Sequence, residues 1–178
     1  MRMAVELWAE PVFERRRAAV ELLRARTDLL DAADLSLVER LLRDSHTWAL
    51  VDDLADHVAG PIVERDGRAV STVDSWAADE DFWLRRSALL ALLGPLRRGE
   101  GEWEVFAGYA DAMLAEKEFF IRKAIGWVLR DTGKRRPELI EQWLRPRIDR
   151  VSGVTLREAV KPLPPHVREQ LLAAYRQR

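Results

Sequence analysis

From Glu118 to Asp131 the apolar positions Ile121, Ile125, Val128 and Leu129 recur at helical spacing and form one stripe. On another face of the same turn sequence stand Lys123, Trp127 and Arg130, at i, i+4 and i+7. A large aromatic between two cations is unusual on a face that meets only water. Gly126 interrupts the helix and costs about 1 kcal/mol relative to alanine. Its presence predicts a close approach by another part of the backbone.

The same period dominates the rest of the chain, and strand alternation is nearly absent. A first helix is expected from Pro11, with Val12, Ala18, Ala19, Leu22 and Leu23 on one face. Asp34 is expected to cap a second helix, Leu35–Arg43. A third opens near Ser45 or Thr47, carries Trp48, Leu50, Val51 and Leu54, and is stopped by Gly60-Pro61, with a short helix after it. Val70–Ala77 follows, and then Phe82–Leu93, capped by Asp79 or Asp81 and closed by Gly94-Pro95. Beyond the Gly99–Gly101 loop come Trp103–Ala115 and Glu118–Arg130, the latter ended by Thr132-Gly133. Pro137 starts Glu138–Leu144, Pro146 breaks it, Ser152-Gly153 turns into Thr155–Val160, and three prolines separate that from Val167–Gln177. No linker divides the chain, so one domain over 1–178 is expected.

Three of these helices superpose in sequence. Trp48–Asp52, Phe82–Arg86 and Phe119–Lys123 each read aromatic, three residues, charge, at offsets of 34 and 37 residues. Helix pairs repeating near that period describe an all-α fold, an α-solenoid of HEAT-like repeats. An irregular helical bundle is the plainer alternative. In a solenoid Asp52, Arg86 and Lys123 fall in one row, with Trp48 one turn before Asp52 and Trp127 one turn after Lys123.

Composition narrows the chemistry. There is no cysteine, which excludes disulfides, thiolate metal sites and a cysteine nucleophile. His46, His57 and His166 lack ligand spacing, and no P-loop or dinucleotide-binding glycine pattern occurs; neither metal nor cofactor is expected. No run of apolar residues is long enough for a membrane span, and the N-terminus lacks a signal-peptide pattern, so a cytoplasmic protein without membrane contact is expected. The net charge of −1 conceals a division: residues 1–116 carry 14 Lys+Arg against 23 Asp+Glu, and residues 117–178 carry 15 against 7. The basic end is either a solvated surface or the footprint of an anionic partner such as nucleic acid.

One carboxylate, several cations and two indoles in a row fit a cationic or sugar-like group beside a phosphate chain. Each residue also has a structural reading. Asp52 can pair with Arg86 between repeats, the tryptophans can be core, and a register shift by one replaces Arg86 with Arg85.

These residues carry a family likeness. Ser45–Asp52, Phe82–Arg86 and Phe119–Arg130, with weaker echoes at Leu7-Trp8 and over 152–161, resemble the DNA alkylation repair family of HEAT-like alkylpurine DNA glycosylases. The resemblance implies a hydrolase that grips duplex DNA on a basic concave face and excises cationic N3- and N7-alkylated purines, with the lesion not necessarily flipped out. By position it makes Asp52 the catalytic carboxylate, Trp48 and Trp127 the indoles beside the lesion's deoxyribose, and Arg86 (or Arg85) a phosphate contact. Lys123 and Arg130 are then expected on DNA as well. Two departures stand out: Thr47 replaces a second tryptophan often found beside Trp48, and only seven residues precede Trp8. The family usually has a segment of several tens of residues there, and its absence implies one of three outcomes: weaker DNA binding, an apolar face left for a homodimer partner, or lost activity. Two other functions fit a helical repeat: a non-catalytic nucleic-acid-binding module, and a protein-interaction scaffold.

Overall fold

The computed structural model describes residues 1–178, all-α and without strands. Its helices form two compact units, Met1–Leu92 and Leu93–Arg178.

The first unit begins with α1 (Arg2–Trp8), which the hydrophobic pattern of so short a segment does not announce; Ala4 and Trp8, one turn apart, are its buried positions. α2 (Phe13–Ala25) starts two residues later than Pro11, because Val12 is extended and occupies the N-cap. α3 (Leu35–Ser45) follows two single 3₁₀ turns, Thr27–Leu29 and Ala32–Asp34. Asp34 does not cap α3 with its side chain. Its carboxylate instead accepts from the Asp31 N–H at 3.0 Å, and Asp31 accepts from the Ala33 N–H, closing a capping box around the 3₁₀ turn.

α4 (Trp48–Leu54) does not stop before Gly60-Pro61 as expected. It widens into a π turn, Ala55–Ala59, and continues as α5 (Gly60–Arg65). The Gly60 N–H reaches back five residues to the Ala55 carbonyl. Pro61 then falls in the first turn of α5, where its missing N–H is tolerated. A Cβ on Gly60 would lie 3.0 Å from the Ala91 carbonyl oxygen, so glycine serves close packing here and not helix termination. α6 (Val70–Ala77) and α7 (Phe82–Ala91) complete the unit. α4 packs between α2, α3 and α7 around Leu50, Leu54, Leu84 and Leu89, all buried.

The second unit opens with α8 (Leu93–Arg97), a short helix that contains the Gly94-Pro95 pair expected to close the helix before it. α9 (Trp103–Met113), α10 (Phe119–Gly133), α11 (Pro137–Leu144), α12 (Gly153–Ala159) and α13 (Pro165–Arg176) follow. α10 is the hub and packs on α8, α11 and α12. Its stripe of Ile121, Ile125, Val128 and Leu129 is fully buried, on the expected face. Gly126 is where α12 comes closest: a Cβ there would meet the Thr155 carbonyl oxygen at 3.0 Å and the Glu158 Cβ at 2.8 Å.

The three aligned segments share one local design. α4, α7 and α10 begin at Trp48, Phe82 and Phe119. The residue before each, Thr47, Asp81 or Glu118, accepts with its side chain from the N–H two residues on, at 3.4, 2.8 and 3.2 Å. Ion pairs recur at nearly the same period. Asp52–Arg86 and Arg97–Asp131 are 34 residues apart, Lys123–Glu158 35, and Arg43–Asp79 and Asp111–Arg147 36. Equivalent positions of successive helices therefore touch within each unit, as stacked helical repeats require.

Candidate active site

In the first unit Thr47 sets the start of α4, and helical geometry puts Trp48 and Asp52 on one face, a turn apart. Trp48 is 55% exposed, unusual for so large an apolar group. Asp52 receives a fork from α7: Arg86 Nε donates to Oδ1 at 2.7 Å and Nη2 to Oδ2 at 2.8 Å. The bidentate geometry fixes the plane of the carboxylate. Its side chain keeps 15% of its surface exposed, while that of Arg86 keeps 5%. Asp52 is thus partly open, and its counter-ion is the more deeply buried of the two.

Burial pushes the Asp52 carboxyl above its ordinary value; the two Arg86 hydrogen bonds oppose this, and Asp53 and Asp56 add to the rise. The carboxylate is poorly solvated, and Arg86 is the one cation bonded to it, with Asp53 and Asp56 adding weaker like charge. Asp53, its neighbour, turns the other way and pairs with Arg17. His57 lies 3.7 Å from Asp53 Oδ1, one helical turn away on the same face. No group of acidic and histidine residues is arranged to hold a metal ion.

Arg86, expected at a phosphate, gives its guanidinium to Asp52 and is 4% exposed. Arg85 is half-buried and donates to the carbonyls of Asp79 and Glu80, at 2.6 and 2.8 Å. The structural pairing of Asp52 with Arg86 is therefore present, and the Asp52 side chain keeps part of its surface exposed.

In the second unit α10 carries Lys123, Trp127 and Arg130 on one face. Both cations converge on Glu158 of α12: Lys123 Nζ donates to Oε1 at 3.0 Å and Arg130 Nη1 to Oε2 at 2.6 Å. Lys161 joins them at 2.9 Å. Hydrogen bonding to Lys161 and Lys123, against the push of burial, lowers the Glu158 pKa to about 2. Trp127 is half-buried, and its Nε1–H donates to Asp131 Oδ2 at 3.1 Å. Asp131 and Glu158 were not anticipated from the sequence. Asp131 was legible as the residue one turn beyond Trp127, and Glu158 as the position one repeat beyond Lys123.

Residues 1–163 match the family profile described as DNA alkylation repair enzyme. Among solved structures, the chain superposes on a predicted DNA alkylation repair enzyme from Enterococcus faecalis with a TM-score of 0.82 and 22% identity, over 92% of this chain and 75% of that one. That likeness establishes a shared fold, all-α and solenoid-like. Among curated proteins none matches the chain.

Proposed function

The chain belongs to the DNA alkylation repair enzyme family, and from that premise we propose that it is a glycosylase removing cationic N3- and N7-alkylated purines from duplex DNA. The observation that carries the reading is the Asp52 carboxylate, held in one plane by Arg86 and left partly open one helical turn from the exposed Trp48.

The chemistry asks little of the protein. An alkylated purine already carries positive charge, so the electron pair of its N-glycosidic bond leaves with the base, which departs neutral without a general acid. The positive charge passes to the sugar as an oxocarbenium-like species. Water adds at C1′ and gives up a proton, leaving free base and an abasic site. Asp52 stabilises the sugar cation and orients the water. Its fixed, poorly solvated carboxylate matches the demand for charge stabilisation that is set before the bond breaks. Trp48 presents an indole face to the deoxyribose, where cation–π attraction grows as positive charge develops. Trp127 supplies the second indole. Arg86 acts through Asp52 by setting its plane. Phosphate contacts are assigned to the half-exposed cations Lys123 and Arg130, with Arg85 a further candidate. No cofactor enters this scheme.

The test is release of 7-methylguanine from methylated duplex DNA. Asp52→Asn keeps the size of the side chain and removes its charge. The expected loss in single-turnover rate is about 10²–10³-fold, the scale of one preorganised charge-stabilising group. Release that survives the substitution overturns the assignment of Asp52. Salt-sensitive duplex binding with no release by the unsubstituted protein favours a second reading, a non-catalytic nucleic-acid-binding module. That reading has its own observation: both Asp52 oxygens are already engaged by Arg86, as in a purely structural ion pair.

A further inference from the structure

Asp131 of α10 is almost wholly buried, at 4% exposure, and four donors surround it. Oδ2 accepts from Trp127 Nε1 and from Arg97 Nε, both at 3.1 Å. Oδ1 accepts from Lys134 Nζ at 2.6 Å and from Arg130 Nε at 3.4 Å. Every neighbour is a donor, so the position requires a group that only accepts, which an ionised carboxylate is and an amide is not.

We propose that Asp131 is a positioning residue that fixes the plane of the Trp127 indole through its Nε1–H. The proposal rests on the reading that Trp127 packs against the sugar of the lesion. A half-buried indole is free to turn about its two side-chain torsions unless something holds it. Here two references hold it. The backbone beside it is set by Gly126, whose bare Cα lets α12 come so close that a Cβ there would lie 2.8 Å from the Glu158 Cβ. The far edge of the ring is set by Asp131, one turn on. Burial pushes the Asp131 carboxyl up, but hydrogen bonds from Lys134, Arg97 and Trp127 bring it below its ordinary value. Asp131 touches no reacting atom in this scheme and acts wholly through the ring.

The experiment is a double-substitution cycle of Asp131→Asn and Trp127→Phe. Release of 7-methylguanine is measured under single turnover, with duplex affinity measured separately. Asp131→Asn is expected to slow release about tenfold at saturating enzyme, while low-salt duplex affinity rises and does not fall, because a counter-charge is lost from beside Arg97, Arg130 and Lys134. In the Trp127→Phe background, which has no Nε1–H, the same substitution is expected to slow release less than twofold further. Equal slowing in both backgrounds overturns the proposal, since Asp131 then acts by some route other than the indole. A second measurement needs no substitution at Asp131. The Trp127 indole N–H resonance, identified by its loss in Trp127→Phe, is expected to exchange slowly with solvent and to shift as pH falls below the ordinary aspartate range. Fast exchange without that shift also overturns the proposal. Absence of release by the unsubstituted protein defeats the glycosylase reading instead, while the indole resonance still reports whether the contact exists.

Discussion

Gly126 and Gly108 both interrupt helices, and the space around them predicts opposite responses to alanine. Nothing lies within 4 Å of a Cβ built on Gly108 in α9, so Gly108→Ala is expected to raise stability by about 0.5–1 kcal/mol. At Gly126 the added methyl meets the backbone of Thr155 at 3.0–3.2 Å, and helix backbone has little room to give. Gly126→Ala is expected to cost about 1–3 kcal/mol in spite of its better helix propensity. Denaturant melts of the two variants check this, and a stabilised Gly126→Ala protein would refute the close packing of α10 on α12. The sequence showed that Gly126 was anomalous, because a glycine amid a strong apolar stripe needs a cause. It did not show that the neighbour was Thr155, because that contact depends on how distant helices stack. Asp52 was likewise legible as a candidate, and its pairing with Arg86 as one of two readings. That the Arg86 fork and a residual exposure of the Asp52 side chain occur together is a matter of side-chain packing that spacing does not encode.

At the scale of elements, the legible features were those with local causes. The starts of α4, α7 and α10 follow from Thr47, Asp81 and Glu118, and the buried stripe of α10 follows from its period. The π turn between α4 and α5 was not legible, since Gly-Pro normally ends a helix and only the packing of Gly60 on Ala91 explains its persistence. Asp34 leaves α3 without a side-chain cap because its carboxylate joins Asp31 in a capping box around the preceding 3₁₀ turn. Glu158 is the clearest non-local tie between elements, because its carboxylate joins α12 to two cations of α10. Its pKa falls from an ordinary 4.5 to about 2 in the folded chain. The depressed value means that the tie contributes in full above pH 4.5 and is lost as pH falls toward 2. Glu158→Gln is expected to cost about 1–2 kcal/mol at pH 7, after allowance for the solvent around its half-exposed partners. The variant should also lose less stability than the parent between pH 5 and pH 2. Parallel acid titrations of the two proteins measure both effects, and identical curves would remove Glu158 from the list of stabilising contacts.

Charge is divided by unit as well as by sequence. Met1–Leu92 carries 12 Lys+Arg against 18 Asp+Glu, and Leu93–Arg178 carries 17 against 12. A nearly neutral chain is thus an acidic unit of −6 joined to a basic unit of +5. Within the basic unit, Asp131 and Glu158 gather Arg97, Lys123, Arg130, Lys134 and Lys161, which leaves a local surplus of positive charge on half-exposed side chains. Such a cluster suits a polyphosphate backbone, because its cations are already assembled and keep part of their surface open. If three to five of them meet phosphates, duplex affinity should fall with a log–log salt slope of about −3 to −4.5, a loss of ~10²–10³ between 50 and 200 mM salt. Lys123→Ala and Lys161→Ala should each reduce the slope by about 1 on duplexes of any sequence. Arg65→Ala serves as the control. Arg65 is a surface cation of the acidic unit whose guanidinium is held by the carbonyls of Thr27 and Leu30, and its loss should leave the slope unchanged. Glu158→Gln adds a result of opposite sign: with one counter-charge removed, low-salt affinity should rise and the slope should steepen. A slope near zero, or one that responds to Arg65 and not to Lys123, would move the nucleic-acid contact out of the basic unit altogether.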